Sequence, residues 1–341
     1  MPGRSGNRVI ALGASAGGIG ALSKVIAALP EDIPAPLFIV QHVSPESPGV
    51  LDQILGRAGR LPVKYAEHGE HFHTGAVYIA PPDRHLIVKK DHLVLSRGPR
   101  ENRTRPAVDP LFRSAAAAYG AHVVGVVLTG LLDDGTAGLA TVKRCGGISC
   151  IQDPRDAEFP GMPRSALESV DIDVCLPLGE LPSALDRLAR QPVAKEVPIP
   201  EDVILESQIA ERAMSDIGVI DTMAEKAPFV CPECGGGLWE MKNDTVLRYR
   251  CNTGHAYSKN TLLSSQNNVV ESALWAAVRS LEERAGILSR MARNSRERGG
   301  RSSSAREWEK EAGESKAHAR QIRDLIMKGY APQEAVTDRS S

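Results

Sequence analysis

Four short, almost unbroken apolar runs do most to restrict how this chain folds: Val9–Ala14, Leu37–Gln41, residues 123–129 and Ile148–Gln152. A strand that is apolar on both faces has to be covered on both faces. Parallel sheets achieve this, because their crossover helices pack above and below. A helical pattern follows the first run, with Ile19, Leu22, Val25, Ile26 and Leu29 on one face. The Ala-rich stretch 110–119 reads as a further helix. Residues 63–96 differ. Short runs at 77–80, His85–Val88 and 93–95 are separated by Pro-Pro-Asp-Arg and Lys-Lys-Asp, which predicts a small antiparallel excursion. The expected fold is α/β, a doubly wound and mostly parallel sheet over residues 1–190.

Charge and hydropathy narrow the function classes. The chain has 341 residues, of which 42% are hydrophobic, enough for a core and against global disorder. Its 41 basic and 42 acidic side chains leave a net charge of -1, which gives no bulk attraction to nucleic acid. No apolar run approaches the roughly 20 residues of a membrane span, so no membrane insertion is expected. Met1-Pro2-Gly3-Arg4-Ser5-Gly6 leads into a run too short for a signal peptide, and a cytoplasmic location is expected.

Three of the apolar runs end in chemistry-bearing residues. Gly13-Ala14-Ser15-Ala16-Gly17 fits Gly-x-Ser-x-Gly between a strand and a helix, where a sharp turn projects the serine hydroxyl. The same glycines, with Gly18 and Gly20, also suit an anion cradle, so on this turn alone a hydrolase and a nucleotide site stand level. The second run ends in Gln41-His42, at the carboxyl edge of the sheet, where ligands bind in open α/β folds. The third leads into Thr129-Gly130-Leu131-Leu132-Asp133-Asp134-Gly135 and brings carboxylates to that edge. Together they predict a hydrolytic set: Ser15 as nucleophile, His42 as base and then acid, and one of the aspartates orienting the imidazole. The chain order Ser, His, Asp is not that of the α/β-hydrolases.

These segments resemble the catalytic domain of the chemotaxis protein-glutamate methylesterase (CheB) family. Three more agree: residues 78–86 (Tyr-Ile-Ala-Pro-Pro-Asp-Arg-His-Leu), 108–114 (Val-Asp-Pro-Leu-Phe-Arg-Ser) and 161–166 (Gly-Met-Pro-Arg-Ser-Ala). The resemblance spans nearly all of residues 8–190. It implies hydrolysis of glutamate methyl esters on methyl-accepting chemotaxis receptors with release of methanol, and deamidation of receptor glutamines. It selects Asp134 as the acid of the triad, because the family's acid immediately precedes the Gly, here Gly135. It gives the backbone N–H groups of Ala16 and Leu131 as oxyanion donors and requires no cofactor for catalysis. Two departures stand out. The family's Met-Gly pair in the Asp loop is Leu131-Leu132 here, so the loop loses a glycine. The family's usual N-terminal receiver domain has no room upstream, so control by a receiver in the same chain is not expected. The competing readings are a non-catalytic binding protein on the same fold, or an esterase for another protein carboxyl ester.

The C-terminal half is organised differently. Three prolines and no periodicity mark a linker after Arg190, followed by an acidic helix, together residues 191–227. Of the six cysteines, Cys145, Cys150 and Cys175 are scattered, while Cys231, Cys234 and Cys251 cluster. Cys231-Pro232-Glu233-Cys234 and Cys251-x3-His255 flank an expected hairpin and supply four ligands of Cys3His type. Residues 228–258 therefore read as a zinc-ribbon-like module with a structural zinc. A redox Cys-x-x-Cys pair and unliganded thiols are the alternatives. Trp239, Glu240 and Asp244 build no basic face, so no nucleic acid is expected there. Leu274, Val278, Leu281, Ala285, Leu288 and Ala292 form one helical stripe, and Trp308, Ala312, Ser315, Ala319, Ile322 and Ile326 another. They predict a helical hairpin over 259–330, a surface for a methyltransferase or signalling partner, ahead of a disordered tail over 331–341.

Overall fold

The computed structural model describes residues 8–193, 195–212, 217–242, 245–297 and 303–329. The expected tail over 331–341 lies outside the described residues, as does the centre of the stretch joining the two C-terminal helices. The chain forms two compact units, Met1–Leu262 and Leu263–Ser341. No described helix is long and apolar enough to cross a membrane.

The first unit is built on a seven-stranded parallel sheet. Its strands are β1 (Val9–Ala14), β2 (Leu37–Gln41), β3 (Val63–Tyr65) and β4 (Val77–Ile79), and after a separate hairpin of β5 (His85–Val88) and β6 (Leu93–Ser96), β7 (Val123–Val127), β8 (Ile148–Gln152) and β9 (Val174–Leu176). The spatial order is β3-β4-β2-β1-β7-β8-β9, with β1 at the centre. Successive side chains of β1 serve opposite faces. Ile10 and Leu12 pack under helices α1 (Gly18–Ala28) and α2 (Leu51–Ala58) with Leu22, Ile26 and Leu55. Val9 and Ala11 face Leu111, Phe112 and Leu139 from α3 (Val108–Tyr119) and α4 (Thr136–Arg144). Helix α5 (Gly161–Ser169) joins the second face through Met162 and Ala166, and α6 (Leu181–Arg190) the first through Leu181 and Leu185. This is the doubly wound architecture expected from the apolar runs.

The antiparallel excursion is smaller than the sequence suggests. Among its strands β5 and β6 pair antiparallel, and an isolated antiparallel bridge joins His71 and His92. β4 pairs parallel with both β2 and β3. Its three residues Val77, Tyr78 and Ile79 are all buried, as a strand inside a parallel sheet covered on both faces is.

Beyond α6 the chain stays on the first unit. Arg8 donates to the Gln191 carbonyl at 3.1 Å, and Ile199 and Val203 join the core beneath α3. Helices α7 (Glu201–Arg212) and α8 (Ile217–Met223) precede an antiparallel sheet of β10 (Ala224–Val230), β11 (Gly237–Met241), β12 (Arg248–Cys251) and β13 (Ala256–Ser258).

The second unit consists of the long remainder of α9 (Lys259–Glu297) and α10 (Ser303–Gly329). Val278 packs with Ala319 and Ile326, and Ala285 and Leu288 pack with Ala312, so the helices run antiparallel. Ser315 is buried in this stripe, where small residues let the two backbones approach.

Candidate active site

The positions of Ser15, His42 and Asp134 follow from the strand order. β2 and β7 flank β1, and Ala14 lies beside Gln41 in the register. The residues that leave the carboxyl ends of these three neighbouring strands therefore meet. The turn after Ser15 is sharp because Gly17, at φ 72°, caps α1 in the left-handed region. Gly18 admits no side chain, since a Cβ there would lie 2.1 Å from Gln41 Oε1. The His42 N–H donates to the Ala14 carbonyl at 3.0 Å, tying the two loops together.

His42 Nε2 lies 2.7 Å from Asp134 Oδ2, and His42 Nδ1 lies 3.1 Å from Ser15 Oγ. A contact that short to a carboxylate requires the proton on Nε2. Nδ1 then carries a lone pair directed at the serine hydroxyl, as a general base needs. The two ring nitrogens thus exchange the parts they play in the chymotrypsin-type triad. Among the described residues, no protein acceptor takes the N–H of Ala16 or Leu131. The Leu131 loop lies close by, because a Cβ on Gly130 would sit 2.8 Å from Ser15 Cβ. Leu132 has φ 60° and an exposed side chain.

Asp134 is buried and saturated with donors. Oδ2 accepts from His42 and from the Val108 N–H at 2.7 Å, and Oδ1 accepts from Asn102 Nδ2 at 2.8 Å and the Gly135 N–H at 3.0 Å. Burial alone would raise this carboxyl. The hydrogen bond and charge of His42, with the Val108 and Asn102 donors, hold it below the usual carboxylate range. Asp109, in the first turn of α3, accepts from Asn102 Nδ2 at 2.7 Å and the Gly138 N–H at 2.6 Å. Burial, and then the Asp134 charge, push its carboxyl up. Asp133 points away from the imidazole and accepts from Ser258 Oγ at 2.5 Å and Thr261 Oγ1 at 3.0 Å. Sequence reasoning missed Asn102 and the part played by Asp109. Asp109 reads as an ordinary first-turn acid, and no local pattern marks Asn102.

The four residues of the cysteine cluster converge, with one ligand atom from each of Cys231, Cys234, Cys251 and His255 within 4.8 Å of the others. Zinc bonds of about 2.3 Å to sulfur and 2.1 Å to nitrogen imply tetrahedral edges of about 3.8 Å between sulfurs and about 3.6 Å from sulfur to nitrogen. Cys234 and Cys251 Sγ are 3.7 Å apart, and His255 Nδ1 lies 3.5 Å from Cys251 Sγ and 3.8 Å from Cys231 Sγ. His255 Nε2 faces the Glu233 carboxylate at 3.3 Å, the outer partner that fixes a metal-bound imidazole. The residues present fit a tetrahedral metal ion.

Comparison with known proteins bears on the first half of the chain. Residues 10–185 match the CheB methylesterase family. A protein-glutamate methylesterase/protein-glutamine glutaminase of Anaeromyxobacter dehalogenans is 42% identical over 182 residues, 53% of each chain. A Leptospira interrogans protein provisionally given the same name is 40% identical over 180 residues, 52% of this chain and 93% of that one. The crystal structure of the Thermotoga maritima CheB methylesterase catalytic domain superposes with a TM-score of 0.52 at 37% identity, covering 54% of this chain and 99% of that one. The chain belongs to the CheB methylesterase family.

Proposed function

We infer that this protein is a serine hydrolase that removes methyl esters from glutamate residues of methyl-accepting chemotaxis receptors, and that it deamidates receptor glutamines by the same route. The observation that carries this reading is the hydrogen-bonded string from Ser15 through His42 to Asp134, in a chain of this family. Ser15 Oγ attacks the ester carbonyl carbon while its proton passes to His42 Nδ1. The N–H groups of Ala16 and Leu131 receive the oxyanion. Asp134 stabilises the imidazolium through Nε2–H. When the carbonyl re-forms, the bond to the methoxy oxygen breaks and His42 returns the proton, releasing methanol. Water then attacks the glutamyl ester of Ser15, its proton again taken by Nδ1 and delivered to Oγ, leaving a glutamate carboxylate. With a glutamine substrate the leaving group is ammonia. Every role is filled by a side chain or backbone amide, so these steps need no cofactor.

Around this catalytic domain, taken as residues 1–190, we place a structural zinc on Cys231, Cys234, Cys251 and His255 and a helical hairpin over 259–330 for a methyltransferase or signalling partner. Free thiols and a thiolate metal site suit a reducing cytoplasm. The test is methanol release from methylated receptor membranes. Ser15→Ala is expected to reduce the rate by about a thousandfold or more. Equal rates for the two proteins would refute the assignment.

A further inference from the structure

The cysteine module does not hang free of the hydrolase. Its β12–β13 hairpin, which carries Cys251 and His255, lies against residues 100–103 beside the triad. Asn102 N–H donates to the Ala256 carbonyl at 2.8 Å, and Ala256 N–H donates to the Arg100 carbonyl at 3.3 Å. Ser258 N–H donates to Asn102 Oδ1 at 2.9 Å. That bond fixes the amide so that its two Nδ2 hydrogens point at Asp109 and Asp134. Ser258 Oγ and Thr261 Oγ1 meanwhile hold Asp133, the residue next to the triad acid. Asn102 itself is buried at φ 50°, a left-handed conformation that asparagine tolerates better than most residues.

A buried ionic cluster clamps the same contact. Arg250, adjacent to Cys251, bonds Glu101 at 2.9 Å and Glu206 at 2.8 Å, and Arg113 of α3 bonds Glu101 at 2.7 Å. Arg248 closes the set on Glu206. Burial opposes ionisation of Glu101, yet Arg113 and Arg250 hold its carboxyl down at about 2. A module of this size has little apolar core, so a bound metal supplies much of the rigidity of the hairpin that carries Arg250 and Ser258.

We propose that Asn102 and Ser258 are positioning residues for Asp134, and that the metal-folded Cys3His module is thereby a working part of the hydrolase site rather than an appendage. Asn102 is too buried to meet substrate and acts through the acid. The module acts through Asn102 and the Glu101 clamp. The proposal rests on the triad and metal readings above, and its test separates the three.

The full-length protein is assayed for metal by elemental analysis, and for Ser15 activation by the rate of labelling with a fluorophosphonate, which needs no receptor. Amide exchange over residues 100–109 supplies a readout that is not activity. Metal is removed with a chelator, and separately by Cys234→Ser, the exposed ligand. Both are expected to slow labelling by about 10- to 100-fold and to raise exchange over 100–109, with recovery when zinc is returned to the chelated protein. Asn102→Asp keeps the shape and the tolerated φ but replaces two donors by an acceptor, while the metal stays bound. It is expected to slow labelling by a similar factor and to move the acid limb of the pH–rate profile to higher pH. Around Asp134 the other titratable groups are His42, Asp109, Asp133 and His85. The substitution replaces none of these residues, but it takes a donor from Asp109 as well as from Asp134 and sets a new carboxyl between them, which raises the limb further; a structural defect alone would not shift it.

A verified metal-free protein that keeps wild-type labelling and exchange overturns the inference. So does an Asn102→Asp protein with unchanged labelling and pH profile, which decides the matter even if metal loss unfolds the chain. A wild type without metal overturns the metal reading and this inference with it. A wild type that does not label at Ser15 overturns the triad reading.

Discussion

Leu132 offers a test of backbone strain in which the expected sign is opposite to the usual one. Its φ of 60° places a γ-branched residue in the left-handed region, which costs roughly 1–2 kcal/mol for an L-residue with a Cβ. Replacing it by Gly removes that cost but also deletes a half-exposed side chain, so the clean comparison is Leu132→Gly with Leu132→Ala. Both lose the side chain, and only Ala keeps the clash. Gly gives back about 0.5–1 kcal/mol through its larger unfolded-state entropy. The net expectation is that Leu132→Gly is more stable than Leu132→Ala by about 0.5–1 kcal/mol, or a rise of roughly 1–4 °C in melting temperature for a unit of this size. At Leu131, which has no positive φ, the same pair should fall in the ordinary order, with Gly below Ala by about 0.5–1 kcal/mol. Thermal melts of the four variants at one protein concentration and metal content give both differences. A Leu132→Gly protein that melts below Leu132→Ala would refute the strain argument. Because the loop also supplies the Leu131 N–H, methanol release by Leu132→Gly reports whether the strained geometry matters to the oxyanion.

Two further perturbations follow from contacts around the triad. A Cβ at Gly13 would lie 2.2 Å from Val108 Cγ1, so Gly13→Ala must displace the residue whose N–H holds Asp134; a loss of stability of about 1–3 kcal/mol and a drop in Ser15 labelling are expected, and wild-type values for both would contradict it. Glu101 titrates at about 2 when folded against an ordinary 4.5, so its contribution is fully present above about 4.5 and is lost as pH falls toward 2. Urea melts between pH 6 and 2 should therefore show wild type losing up to about 3 kcal/mol more than Glu101→Gln over that window, and parallel curves would show that the ion cluster adds no acid-sensitive stability.

The meeting of Ser15, His42 and Asp134 was legible because each follows a strand that is buried on both faces. Once Val9–Ala14, Leu37–Gln41 and 123–127 are neighbours, Ser15, His42 and Asp134 can only emerge at one edge. The convergence of Cys231, Cys234, Cys251 and His255 was legible for a similar reason, since two tight turns at fixed spacing leave the side chains one direction to point. What stayed hidden is the contact between the two sites. Glu101, Arg113, Glu206, Arg248 and Arg250 are all charged, and charged residues in a sequence read as surface. Only the folded chain turns them inward, where the three guanidiniums share the two carboxylates. β4 was misassigned to the antiparallel excursion because three apolar residues do not reveal which strand they will join.

The distance along the chain between Glu101 and Arg250, 149 residues, bears on the order of events in time. A chain is delivered from its N-terminus, so the parallel sheet with Ser15, His42 and Asp134 emerges before the hairpin that closes over residues 100–103. During that interval Glu101 has Arg113 but neither Arg250 nor the neighbouring Ser258, and Asn102 lacks the bond that orients its amide. Contacts this distant in sequence form late, because a long loop must close before they return any free energy. Synthesis of Ser15 and completion of the surroundings of Asp134 are therefore separate moments, divided by the making of another 120 or so residues beyond Asp134.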